Sequence, residues 1–255
     1  MKLVVKLGGS ILEPAPAPAT MAALARAVAA GHQIVIVHGG GKALSALLRR
    51  LGIETEFVRG LRVTDPETLR AAVMAFAGEV NTGLVGALNR AGVRAVGLTG
   101  LDGACVRAVA GRAELGAVGT VAACAPALWL SLLAAGFTPT LASLASDGDT
   151  GALNVNADQF AAACAAALAA DALVFATDVP GILGASGVLP RVTLADLSAM
   201  TATGALHGGM LPKADACHMA LAGGVARVIV MGEAGLERLD TLGDHEAIAG
   251  TEVLP

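Results

Sequence analysis

Short β-branched runs recur along the chain, each closed by turn residues, and between them lie Ala/Leu-rich stretches with helical spacing of apolar positions. Strands are predicted over Leu3 to Leu7, Gln33 to Val37, Ala95 to Leu98, Thr138 to Leu141, Ala172 to Thr177 and Ala226 to Met231. Helices are predicted over Thr20 to Ala30, Ala43 to Leu51, Asp65 to Gly78, Asn81 to Ala91, Pro126 to Ala135, Asp158 to Ala170, Thr193 to Thr201 and Pro212 to Ala222. Thr64, Asp65 and Pro66 form a helix-start signal for the third. Strands that are apolar throughout are buried on both faces and joined by helical crossovers, so the pattern predicts an α/β fold. Pro-Ala-Pro-Ala-Pro at 14–18 cannot be regular helix and reads as a stiff lead-in to the first helix. No repeat and no polar tract separates independent domains; if there are two lobes, they share one sheet.

A chain of 255 residues can bury a core without disulfides or structural metals. Its 55% hydrophobic content draws attention to the stretch between Glu114 and Asp147, which has no charged residue. Gly116, Gly119, Pro126, Gly136 and Pro139 interrupt it, so it reads as buried strands and helix rather than a membrane span. With 17 Lys plus Arg against 21 Asp plus Glu, the net charge of -4 offers no phosphate-backbone affinity. Aromatics are 2%, with no Tyr and Trp129 alone of its kind, so base-stacking platforms lack their material. Cys105, Cys124, Cys164 and Cys217 are far apart, without a CxxC pair, and read as small buried hydrophobes of a reducing compartment. The apolar segment of Met1 to Gly9 is too short for a signal peptide and has Lys6 inside it. The expectation is a cytoplasmic protein that binds neither nucleic acid nor membrane.

Three glycine clusters each follow a strand and precede a helix: Gly8-Gly9, His38-Gly39-Gly40-Gly41, and Gly208-Gly209 ahead of Met210-Leu211-Pro212-Lys213. Bare glycines there let backbone N–H groups approach an anion at a helix N-terminus. One pair is an ordinary turn; three in corresponding positions point to a site. Lys6 ends a buried strand facing inward, where an ammonium needs an anion. Lys213 opens a helix, where a cation opposes the helix dipole unless a phosphate binds. The glycines match neither a P-loop, since Ala43 follows Gly41-Lys42, nor a G-x-G-x-x-G dinucleotide motif. The G-x-S-x-G elbow that an esterase needs beside HGGG is absent. Asn154-Val155-Asn156-Ala157-Asp158 places two amides and a carboxylate before a helix. A cap needs one such residue, and Asp158 could hold both lysines in position.

Together Lys6-Leu7-Gly8-Gly9, HGGG at 38–41, Gly60-Leu61-Arg62-Val63-Thr64, Asn154 through Asp158, Thr177-Asp178-Val179-Pro180-Gly181-Ile182-Leu183 and Gly208 through Lys213 resemble the amino acid kinase family. Any one motif is weak, but six in order over nearly the whole chain are specific. HGGG combined with GLRVT resembles the branch that phosphorylates N-acetyl-L-glutamate, rather than the aspartate, glutamate 5-, carbamate or uridylate kinases.

The resemblance implies a three-layer αβα sandwich around a mainly parallel sheet. An N-terminal lobe at 1–170 would bind the amino acid and dimerise, and a C-terminal lobe at 171–255 would bind ATP with Mg²⁺ held mainly by the phosphates. The product would be N-acetyl-L-glutamyl 5-phosphate, an intermediate of arginine biosynthesis. On the matching positions, Lys6 and Lys213 would stabilise the transferring phosphoryl group and Asp158 would orient both. Gly9 and Gly40 would donate backbone N–H bonds to it. Arg62 would grip the α-carboxylate, with Gly40, Gly41, Asn154 and Asn156 completing the amino-acid site. Thr177, Asp178, Gly181, Leu183, Gly209 and Met210 would line the nucleotide pocket. A carboxylate nucleophile is already ionised near neutral pH, so no base is required and His38 would be an orienting residue. Lys42 and Thr82 depart from the family's usual residues, which keeps open a carrier-bound aminoadipate or glutamate as substrate; a non-catalytic metabolite sensor is the alternative of another class. Only Met1 and Lys2 precede the first strand, whereas arginine-inhibited members carry an N-terminal helix there. The expectation is therefore an arginine-insensitive homodimer, with an interface on the Leu69, Val73 and Phe76 stripe.

Overall fold

The structure is a computed structural model and describes residues 1–255 other than 13, 14, 59, 150, 186 and 244–247. In chain order its strands are β1 Lys2–Leu7, β2 Gln33–His38, β3 Phe57–Val58, β4 Leu61–Arg62, β5 Ala95–Thr99, β6 Val106–Ala110, β7 Val118–Cys124 and β8 Thr138–Ala142. They continue with β9 Leu144–Ser146, β10 Ala152–Val155, β11 Ala172–Thr177, β12 Leu183–Gly184, β13 Gly187–Val188, β14 Arg191–Thr193, β15 Arg227–Gly232 and β16 Thr251–Leu254. The α-helices are α1 Gly9–Leu12, α2 Pro18–Ala29, α3 Gly41–Leu51, α4 Pro66–Val73, α5 Asn81–Arg90, α6 Ala127–Ala134, α7 Ala157–Leu168, α8 Leu194–Ala202, α9 Met210–Ala222 and α10 Glu233–Leu236.

Eight strands form one sheet in the order β14-β16-β15-β11-β1-β2-β8-β5, parallel except where β16 runs against β15. Side chains alternate across β1. Val4 faces one apolar cluster with residues of α6, α7, α8 and α9, while Leu3, Val5 and Leu7 face another with α1, α2, α5 and α10. Helices on both faces of a mainly parallel sheet make the three-layer αβα sandwich. All six predicted strands are present with ends shifted by at most one residue; the apolar runs of β1, β2, β8, β11 and β15 are buried on both sides, while β5 is a half-buried edge strand.

Three features differ from the sequence expectation. The helices predicted at Asp65 to Gly78 and Asn81 to Ala91 are one continuous helical stretch, Pro66–Arg90, with a π-helical segment at Met74–Val80. The extra residues of the wider turn absorb what reads as a break at Gly78. This stretch is long and apolar enough to cross a membrane by length and composition, yet Ala71, Ala72, Ala75, Leu84 and Leu88 pack in the core. The Leu69, Val73 and Phe76 stripe is also divided: Phe76 is 4% exposed and packs inward, while Val73 is 38% exposed. Finally, the uncharged stretch after Glu114 contains β7, the eight-residue α6, β8 and β9. There β6, β7, β9 and β10 close into a small barrel that the sequence pattern does not reveal.

Asp65 caps α4 through a 2.7 Å bond from the Thr68 N–H to its carboxylate, and Pro66 occupies the first turn, as the helix-start signal predicts. Of the proline segment, Pro14 lies outside the described residues, and Pro18 begins α2 after the extended Ala17.

Candidate active site

At the carboxyl ends of β1, β2 and β11 the chain turns into Gly8-Gly9, the glycine loop at 39–41 and Thr177-Asp178. β1 is the strand at which the sheet order diverges, and ligands of open α/β sheets sit at that point. Lys6 lies in register with Val37 and Phe175, whose side chains belong to the α7 and α9 face. Its ammonium therefore rises toward the start of α7, where Asp158 stands.

Asp158 Oδ1 accepts contacts from Lys6 Nζ at 2.8 Å and from Lys213 Nζ at 3.0 Å. All three groups are buried or nearly so. Burial alone would raise the Asp158 carboxyl, but the two ammonium charges outweigh it and hold the group below the ordinary carboxylate range. Burial pushes the Lys213 ammonium down, Asp158 opposes that shift, and Lys6 adds to it by repulsion. Lys213 also stands 4.8 Å from the centroid of the Phe175 ring, whose face favours a cation. Lys213 is the fourth residue of α9, not its opening residue, and its ionic partner is the Asp158 carboxylate, where the sequence points to a phosphate.

The three polar residues around the start of α7 have separate tasks. Asn156 is the cap, its Oδ1 accepting from the Asp158 and Gln159 N–H groups at 3.0 and 3.2 Å. Asn154 donates from Nδ2 to Thr64 Oγ1 at 3.2 Å, tying β10 to the residue after Arg62-Val63. Asp158 holds the lysines.

Two cavities meet here. One of about 240 Å³ is lined by Gly40, Gly41, Arg62, Phe76, Asn154 and Asn156. The other, of about 970 Å³, is lined by Asp158, Thr177, Asp178, Gly209, Met210 and Lys213, among others. Lys6, Gly9, Gly41 and Arg62 line both, so the triad reaches their junction through Lys6, while Asp158 and Lys213 line the larger cavity. Gly181 and Leu183 are not among the lining residues; a Cβ on Gly181 would meet Thr251 and Val188, and Leu183 is 52% exposed.

The glycine loop is packed from behind. A Cβ on Gly40 would lie 2.6 Å from the Phe76 ring carried by the π-helical segment, so no side chain fits. Gly208, at φ +56°, takes the left-handed turn into α9 that favours glycine. Fully buried His38 contacts Gly39 O through Nδ1 at 2.7 Å and Asn81 Nδ2 through Nε2 at 2.8 Å. Asn81 Nδ2 also donates to Thr140 O at 2.9 Å. The ring is thus the neutral tautomer with its proton on Nδ1. Burial outweighs the Gly39 bond and pushes its pKa down to about 4.

Arg62 ends the β3–β4 hairpin. Its Nη2 donates to Ser45 Oγ at 2.6 Å and to Gly41 O at 3.2 Å, and its guanidinium lies 4.6 Å over the Phe57 ring. Nη1 is buried without an acceptor among the described residues. Burial lowers the pKa of this guanidinium.

Sequence reasoning missed Ser45, Phe57 and Asn81. Only Asn81, a buried amide on an apolar helix face, carries a local signal. Cys105, Cys164 and Cys217 are buried and Cys124 half-buried, all as free thiols. Burial raises Cys105 to about 11 and Cys217 to about 12.

The model of the amino acid kinase family matches residues 1–232. An acetylglutamate kinase of Acidobacterium capsulatum is 45% identical over 261 residues, spanning 100% of this chain and 99% of its own. Another, of Solibacter usitatus, is 47% identical over 230 residues, covering 89% of this chain and 90% of its own. The crystal structure of smu.665 from Streptococcus mutans superposes with a TM-score of 0.86 at 30% identity, over 99% of this chain and 98% of that one. A relation that spans the sandwich, both cavities and the lysine triad means that the chain belongs to the amino acid kinase family, in its acetylglutamate kinase branch.

Proposed function

We propose that the lysine triad is the point at which the γ-phosphoryl group of ATP passes to the side-chain carboxylate of N-acetyl-L-glutamate, giving N-acetyl-L-glutamyl 5-phosphate. This is the acetylglutamate kinase reaction of arginine biosynthesis. The observation that carries the reading is the shared Asp158 oxygen, which holds Lys6, common to both cavities, together with Lys213 of the larger one.

The smaller cavity takes the amino acid. Arg62 receives the α-carboxylate on Nη1, and Asn154, Asn156, Gly40 and Gly41 form the wall around it. The larger cavity takes the nucleotide, along Thr177, Asp178 and the Gly209-Met210 turn, with Gly181 and Leu183 further along the same segment. Among the described residues no three His, Cys, Asp or Glu side chains gather into a metal-binding group. Mg²⁺ would be held mainly by the nucleotide's phosphates and would supply charge neutralisation there.

Transfer needs no general base, since the attacking carboxylate is ionised near neutral pH. What the protein supplies is position and positive charge: Lys6 and Lys213 face the phosphoryl oxygens as charge builds on them, and Gly9 and Gly40 offer backbone N–H groups. Asp158 favours the charged form of Lys213 and aims both ammonium groups without reacting. His38, neutral and engaged at both nitrogens, fixes the glycine loop. In the sheet, β1, β2, β5 and β8 come from 1–170 and β11, β14, β15 and β16 from 171–255, which supports an amino-acid lobe and a nucleotide lobe joined at β1. The active unit is proposed to be a homodimer.

A substrate panel with ATP tests the reading, scored by ADP release and by hydroxamate formation from the acyl phosphate. N-acetylglutamate should outpace glutamate, aspartate, carbamate and UMP by orders of magnitude. Equal turnover of any of these would overturn the assignment. A preference for carrier-bound aminoadipate or glutamate would move it to the carrier-dependent kinases, and no turnover of any acid would mark a sensor.

A further inference from the structure

We infer that Ser45 is a positioning residue for amino-acid binding, its hydroxyl setting the Arg62 guanidinium so that Nη1 is the edge left for the substrate's carboxylate. The inference rests on the proposed role of Arg62. Ser45 lies one turn into α3, on the helix face that borders the larger cavity. Its Oγ donates to Gly41 O at 2.8 Å and accepts from Arg62 Nη2 at 2.6 Å. A hydroxyl has one proton, and here it is committed to Gly41, which turns an oxygen lone pair toward Arg62. Gly41 O takes a second, longer bond from the same Nη2 at 3.2 Å.

The guanidinium is thereby fixed on one edge by Ser45 and Gly41, and on its face by Phe57 at 4.6 Å. Nη1 remains as a buried donor with no acceptor among the described residues. A buried, unpaired donor is costly, and a bound carboxylate relieves that cost. Holding a long side chain in its binding geometry beforehand removes the entropy loss that binding would otherwise incur. The Gly41 carbonyl also links Arg62 to the glycine loop, so the same contacts set the distance between the α-carboxylate grip and the phosphoryl-transfer point.

Without the hydroxyl, Nη2 keeps only the 3.2 Å bond to Gly41 O. The α-carboxylate does not change during transfer, so ground and transition states weaken alike and KM carries the effect. Ser45→Ala should raise KM for N-acetylglutamate about ten-fold, the weight of one hydrogen bond to a charged group. Its kcat and its KM for ATP should stay within about two-fold. Alanine favours the helix over serine, so the melting temperature should hold or rise, which separates positioning from folding. Ser45→Thr keeps a hydroxyl able to bond the carbonyl four residues back and should restore KM.

The experiment is steady-state kinetics and thermal melting on Ser45→Ala, Ser45→Thr and Arg62→Lys. If Arg62→Lys raises KM and Ser45→Ala does not, the positioning role is overturned while the Arg62 reading stands. If neither moves KM, the Arg62 reading falls and takes the inference with it. A lower KM in Ser45→Ala would mean that the hydroxyl parks Arg62 away from substrate, which also overturns the inference.

Discussion

Replacing Asp158 by asparagine keeps the shape of the side chain and removes the negative charge that Lys6 and Lys213 share. At an effective dielectric of about 20, each contact near 3 Å is worth about 5–6 kcal/mol of Coulomb attraction, and two ammonium groups on one oxygen stand less than about 6 Å apart and repel by at least about 3 kcal/mol. Desolvation of the buried groups cancels much of this, and deleting one partner of a buried ion pair costs about 3–5 kcal/mol. The folded Asp158 carboxyl lies below its ordinary range, so its stabilisation is complete at neutral pH and lost only as pH falls through that lowered value. Melting at pH 7.5 should therefore show the full loss, a fall of about 6–12 °C for about 3 kcal/mol in a chain of this length. The variant relieves the repulsion by releasing a proton, from Lys213 first, because burial already depresses its ammonium. One charge on the phosphoryl group is then lost, and kcat should drop by about 10² to 10³. Lower pH returns the proton, so the basic limb of the kcat profile should move to lower pH, with KM for N-acetylglutamate within about two-fold of the parent. Parental kcat and an unmoved basic limb in Asp158→Asn would refute the view that this carboxylate keeps Lys213 charged.

Lys6→Ala and Lys213→Ala should lower kcat by about 10² to 10³ with little change in KM, while Arg62→Ala should mainly raise KM for the amino acid. An Arg62 variant with collapsed kcat and parental KM would contradict that layout. His38, pushed down to about 4, takes up no proton in the folded state where an exposed histidine would, so stability should fall as pH drops from about 6.5 toward 4, by about 3 kcal/mol in all. Denaturant melts across that range should show a shallower slope in His38→Gln than in the parent, and equal slopes would refute the assignment.

The main sheet is legible because its runs, such as Ile34 to Val37 and Ala172 to Ala176, are apolar throughout, which only a strand buried on both faces tolerates. The barrel is not. Val106–Ala110 alternates in burial from Val106 to Val109, but an apolar valine holds the exposed position 109, and Val118–Cys124 mixes small residues at buried and exposed positions, so neither shows a strand period in its sequence. Their small residues are what the barrel requires: a Cβ on Gly119 would meet Ala108 and Leu153 at 3.0 Å or less. In the site, Lys6 and Asp158 are readable because a charge beside an apolar run demands a partner, and glycine loops mark where anions approach. Ser45 and Phe57 are silent in sequence, since each acts only through Arg62, which the β3–β4 hairpin carries to them. The π-helical segment is likewise invisible to a 3.6-residue period, though it aims Phe76 at Gly40.

The position of β1 constrains how this molecule can move. It hydrogen-bonds β2 on one side and β11 on the other along nearly its whole length. A hinge between the two halves would have to peel apart one of those parallel ladders, at the strand that carries Lys6. The halves therefore behave as one elastic plate that can twist but not fold at β1. Shutting out water falls to parts mounted on the rim, such as the Phe57–Arg62 hairpin and the turn before Met210. The distance between the two cavities is set by backbone spacing in the sheet and not by an opening angle.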